Sequence, residues 1–205
     1  MFAVWDESLE PIAYEPTGVF LVTGPPLSGK STTVLTITRS LQATRPTVEC
    51  VLFGSRRSAL AGAAKWHQLV EPGLYADAAT ELAAELRSSE VPRDVAVVFE
   101  SIGDVIDAGA QDEVADLLKA IRSSGRFAVV SGEVSAFQQS FGFPAVLKAD
   151  RYGIALQPEQ ADGDTVFGVG LPRVSRRDFP VGRGYYCRAG HAYRVQVLLP
   201  EGGSG

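Results

Sequence analysis

The octapeptide Gly24-Pro25-Pro26-Leu27-Ser28-Gly29-Lys30-Ser31 constrains this chain more than any other stretch. It matches G-x-x-x-x-G-K-[ST], a phosphate-binding loop. Its flanks suit that reading. Residues 19–23 form an apolar, β-branched run of the kind that makes a buried strand, and Ser31 to Ala43 carries Val34, Leu35, Ile37, Thr38 and Leu41 at helical spacing. The loop therefore falls where a strand gives way to a helix. Backbone N–H groups and the positive end of the helix dipole there turn toward an anion. Gly24 and Gly29 let the main chain approach a phosphate closely. Lys30 is expected on the β- and γ-phosphates of ATP and Ser31 on Mg²⁺, with Pro25, Pro26, Leu27, Ser28 and Thr32 completing the cradle.

Beyond the loop, strand-like and helix-like runs alternate. Strands are expected at 48–53, 95–99 and 127–130, with helices at 77–88 and 111–124 between them. A shorter helix is expected at 59–63 behind a Ser58 cap. This alternation predicts a doubly wound α/β sheet. The last third differs: a short helix at 143–148, a strand at 152–156, one or two helical turns at 161–168, and a β-hairpin over 182–197 turning at Ala189-Gly190. Residues 1–17 read as an extended flap or short strands along one sheet edge. The domain proper is expected over 18–198, and 199–205 as a flexible tail.

A hydrolytic site of this type needs an acid at the end of a buried strand to hold Mg²⁺, and usually a second one to activate water. Glu100 follows the apolar run 95–99 and fills the first role, where aspartate is usual. The next position is Ser101, whose hydroxyl is no general base at neutral pH. A site lacking a base worth about 10²–10⁴ in rate is expected to bind ATP and turn it over slowly. At the end of the following strand Ser131, and Glu133 beyond it, are candidate sensors of the γ-phosphate. Gly182 and Gly184 flank Arg183 in a second glycine-rich stretch, which reads either as an adenine-side contact whose Tyr185 stacks on the base or as a tight turn into the hairpin.

Totals narrow the function classes. A net charge of −5 argues against duplex DNA as the main partner, although Arg173, Arg176, Arg177, Arg183, Arg188 and Arg194 crowd the C-terminal third. No apolar run is long enough to span a membrane. His67 and His191 lack ligand-like neighbours, so no zinc site is expected, and Cys50 and Cys187 read as buried thiols. A small-molecule kinase also uses such a loop, but no arginine-rich lid follows a mid-chain helix.

Taken together, Gly24–Ser31, Val95–Ser101, the Arg122–Gly125 turn before Val129–Glu133, and Asp178-Phe179-Pro180-Val181-Gly182-Arg183-Gly184 ahead of a hairpin resemble the FtsK/SpoIIIE branch of additional-strand ATPases. The likeness is nearest to the C-terminal ATPase module of EccC-type motors of type VII secretion. It implies a RecA-like P-loop fold: a central, mostly parallel sheet, helices on both faces and a C-terminal hairpin. It also implies a longer, membrane-anchored parent whose ATPase modules lie in the cytoplasm. Partners would be other ATPase modules of the same chain or oligomer and a small helical secretion substrate. The alternative within the family is a motor that pumps double-stranded DNA.

Overall fold

In a computed structural model of the chain, residues 1–6, 8–88, 93–173 and 176–200 are described. The strand expected ahead of the phosphate loop is β3 (Gly18–Thr23), and it lies inside a ten-stranded sheet. Its side chains alternate: Val19 and Leu21 enter one apolar cluster, Phe20 and Val22 the other. A strand whose two faces are both apolar can only be buried on both sides. The same alternation recurs in β6 (Val95–Phe99) and β7 (Phe127–Gly132).

The remaining strands are β1 (Ala3–Trp5), β2 (Pro11–Ile12), β4 (Glu49–Phe53), β5 (Gln68–Val70), β8 (Gly153–Leu156), β9 (Arg183–Arg188) and β10 (His191–Val197). Their order is β2-β1-β10-β9-β8-β3-β7-β6-β4-β5. From β8 to β5 all pairs are parallel; from β8 back to β2 all are antiparallel. Strand β7 stands between the loop strand β3 and the Glu100 strand β6, with Thr23 opposite Gly132.

Helix α1 (Lys30–Thr44) covers one face, seating Val34, Ile37 and Leu41 on Phe20, Val22, Leu52 and Val98. Each such side chain taken from water contributes about 1.5–3 kcal/mol. This helix is unusually rich in buried threonine. Thr33 and Thr38 satisfy their hydroxyls on the carbonyls of Gly29 and Val34, each at 2.9 Å, so burial leaves no donor stranded. The N-terminal segment joins this face: Phe2 and Tyr14 meet edge to face at 5.5 Å, and Phe2 packs on Phe20 at 5.6 Å. Helices α2 (Tyr75–Ser88), α3 (Ile102–Asp107), α4 (Gln111–Ser123), α5 (Phe143–Leu147) and α6 (Gln160–Phe167) pack with the other cluster.

Three local expectations change. Residues 59–63 form turns, in which the Ser58 hydroxyl accepts the Ala61 N–H at 3.2 Å; the stretch has one buried anchor, Leu60, too little for a helix. Helix α2 begins at Tyr75 rather than Asp77, because a 3-10 turn over Pro72–Leu74 leads into it and the Tyr75 ring is buried. Helix α3 was not expected at all. The tail from residue 201 onward lies outside the described residues.

Candidate nucleotide site

The loop leaves β3 with Gly24 at φ +157°, where a Cβ would stand 2.7 Å from both the Leu156 carbonyl oxygen and Ser28 Oγ. Only glycine fits. Gly29, at φ +97°, precedes the first residue of α1, and its missing Cβ leaves room for Gly182 N and Val181 Cγ1, each 3.2 Å from where it would lie. The Gly182 N–H donates to Ser28 O at 2.9 Å. The stretch before the C-terminal hairpin is thus docked against the loop.

Helix α1 carries no acidic residue in its first turn, so its positive end is not neutralised from within. Lys30, half-buried, donates through Nζ to Gly24 O at 2.8 Å and Pro25 O at 2.7 Å. Burial pushes its ammonium below the ordinary lysine range, and the Glu133 carboxylate pulls the other way. Ser31 is exposed at the helix start, Thr32 half-buried behind it, and Pro26 and Leu27 face solvent. Ser28 is fully buried and its hydroxyl has no partner among the described residues.

Glu100 stands at the exit of β6, two strands from the loop. One of its oxygens, Oε2, is buried without a hydrogen bond among the described residues and lies against Gly54, where a Cβ would come within 2.6 Å of it. Burial raises the Glu100 pKa and the Asp104 charge adds to the rise, while the Ser58 hydroxyl and the Ser55 backbone oppose it. Ionising Glu100 therefore costs the folded state. That cost is absent below the ordinary carboxylate pKa and complete above the raised one. Glu100→Gln keeps the shape and removes the charge. It is expected to raise the melting temperature by about 2–4 °C at neutral pH, the shift that about 1 kcal/mol produces in a domain of this size. At acid pH the gain should vanish. Unchanged melting at neutral pH would show that the carboxylate carries no such cost.

Ser131 is buried in β7 opposite Val22, one strand from the loop. Ser101 sits ahead of α3 without capping it through its side chain. Arg183 leaves the glycine-rich stretch for the N-terminal segment: its Nη2 meets Asp6 Oδ1 at 3.1 Å, and Arg194 takes the other oxygen at 3.0 Å. Gly184 belongs to β9 and faces β8 across the sheet, where a Cβ would overlap the Ala155 carbonyl. Tyr185, expected to stack on a base, is instead buried edge to face with Phe179 at 5.7 Å. Of this stretch only Gly182 touches the loop. Arg122 is held by Asp150 at 2.9 Å and by Val146 O at 2.7 Å. Sequence reasoning missed Val181 against Gly29 and Asp6 between two arginines, because neither long-range contact has a local signature.

No protein-family model matches the chain, and no curated protein matches it in sequence. Solved structures do. ATPases 2 and 3 of EssC from Geobacillus thermodenitrificans match with a TM-score of 0.73 at 20% identity, over 98% of this chain and 41% of that one. ATPases 2 and 3 of Thermomonospora curvata EccC, in complex with a signal sequence peptide, match at 0.73 and 17% identity, over 97% and 40%. The pCW3 conjugation coupling protein TcpA, with ATPγS, matches at 0.66 and 12% identity, over 96% and 65%. The chain spans less than half the length of the EssC and EccC structures it matches. It has their RecA-like P-loop fold, with the mostly parallel sheet and helices on both faces.

Proposed function

We propose that this chain is an ATP-binding module of a type VII-like secretion motor, with slow hydrolysis and a partner-binding or regulatory role. The observation that carries the reading is the loop itself: two glycines whose Cβ positions are filled, a helix start free of acids, and Lys30 at its mouth. These features fit a triphosphate. The cradle is Gly24 to Thr32 with Gly182 beside it. Ser31 and Glu100 are the residues that would hold Mg²⁺, which when bound offsets the charge on the phosphate oxygens. Ser131 is the residue for the γ-phosphate end.

Slow turnover follows from Ser101 where a second acid would stand, and from a Glu100 carboxylate leaning toward Gly54. The partner reading draws on EccC, whose solved ATPases 2 and 3 carry a signal sequence peptide. Among the described residues no helix is long and apolar enough to cross a membrane.

The test is a calorimetric titration with MgATP and then with an amphipathic helical peptide, alongside steady-state turnover. Both ligands should bind, with turnover below about 1 s⁻¹, the bottom of the ordinary enzyme range. Absence of MgATP binding removes the reading. Brisk turnover with salt-dependent duplex binding replaces it with the DNA motor.

A further inference from the structure

We infer that Glu133 supplies the carboxylate that position 101 lacks, by orienting and deprotonating the water that attacks a bound triphosphate. The inference rests on the nucleotide-binding reading above and assigns the group behind its slow turnover.

The geometry comes from where β7 ends. Its last residue, Gly132, is paired with Thr23, the residue before the phosphate loop. On its other side Gly132 packs against Ile102, the neighbour of Ser101: a Cβ on Gly132 would stand 2.7 Å from Ile102 Cγ2. Glu133 follows at once, so its main chain emerges between the loop and the position where a base is missing. Its backbone is extended, at φ −81° and ψ 153°, and its carbonyl accepts the Ala136 N–H at 3.1 Å, which fixes the turn. Extended backbone alternates sides, so Glu133 shares the side of Ser131, two residues before it.

The carboxylate is also available. Glu133 is exposed, and among the described residues its side chain makes no hydrogen bond or ion pair. The charge it does act on is Lys30. Two other acids, Glu100 and Asp104, follow β6. Glu100 lies against Gly54, and the charge of Asp104, in the first turn of α3, acts on Glu100 and Tyr75.

In the step, the water oxygen forms a bond to the γ-phosphorus while the bond to the β–γ bridging oxygen breaks. ADP leaves with that electron pair. The proton goes from water to Glu133 and on to the released phosphate or solvent. Glu133 is exposed to solvent, which accounts for a base that works poorly.

The experiment is single-turnover phosphate release from MgATP by the whole chain, with MgATP affinity measured for every variant. Wild type should release phosphate above a Lys30→Ala background. Glu133→Gln should lose about a hundredfold or fall to that background, the low end of what a general base contributes, while its MgATP affinity stays within about threefold of wild type, too small a change to involve a charged hydrogen bond. Glu133→Asp or Ser101→Glu, the latter placed in the Glu133→Gln chain, should recover part of the rate; a role in folding alone would not respond to a carboxylate at position 101. Three outcomes overturn the inference: Glu133→Gln as fast as wild type, a loss that neither carboxylate recovers, or no release by wild type above background. In each of these, intact MgATP affinity leaves the nucleotide-binding reading standing; loss of wild-type affinity removes both.

Discussion

Lys30→Ala should weaken MgATP binding by about a hundredfold while leaving the fold in place. A hydrogen bond to a charged group is worth about 1.5–3 kcal/mol, or roughly 10- to 150-fold in affinity. Lys30 offers several such donors to the phosphates. In the protein itself Nζ instead bridges the carbonyls of Gly24 and Pro25, at 2.8 and 2.7 Å. Gly24 is buried but Pro25 is only half-buried, so water can take the place of the ammonium on the Pro25 carbonyl. Removing a partly desolvated charge there costs the folded state little, and its melting temperature should move by no more than about 2–4 °C. Calorimetry with a slowly hydrolysed ATP analogue reads the affinity, and a thermal scan reads the fold. Unchanged affinity would place the phosphates away from Lys30. A collapsed melting transition would mean that the loop carbonyls depend on that ammonium.

The second large effect lies at Gly153, on the far side of β3. Gly153 sits opposite Leu21 in the β3–β8 pair, at φ +152°, and a Cβ there would overlap the Leu21 carbonyl oxygen and stand 2.7 Å from Leu21 N. Those atoms are backbone in the middle of the sheet and cannot give way. Gly153→Ala must therefore push β8 off β3. Strand β8 also pairs with β9, with Gly153 opposite Cys187, so the hairpin and the Val181–Gly182 contact to the loop depend on it. The expected loss is about 3 kcal/mol or more, the upper range for overpacking a rigid site. Gly62→Ala is the control. A Cβ at Gly62 meets nothing within 4 Å, and it should change stability by less than about 0.5 kcal/mol. Chemical denaturation measures both. Equal stability of the two variants would mean that the sheet tolerates a displaced β8.

Much of the architecture was legible because it is written locally. Short, β-branched apolar runs such as 95–99 and 127–130 favour buried strands, and the spacing of Val114, Leu117, Leu118 and Ile121 favours one face of a helix. Both lie where they were expected. The failures have the same physical root. Helix α3 is six residues long with Gly103 inside it, and its burial rests on Ile102 and Val105 against the core, a pattern too short to show a period. Tyr185 next to two glycines suggested a stacking platform, yet its ring is buried edge to face with Phe179. Arg183 looked available to a ligand until Asp6, from the other end of the chain, claimed it.

The chemistry divides along the same line. The octapeptide alone determined a strand-to-helix corner with two positive-φ glycines and a lysine at the helix start, since all of these lie within eight residues. Which carboxylate acts on the charge of that lysine was decided by β7 taking its place between β3 and β6. That pairing joins Thr23 to Gly132 and brings Ile102 against it, so it depends on the competition among buried strands for neighbours rather than on any short run of residues.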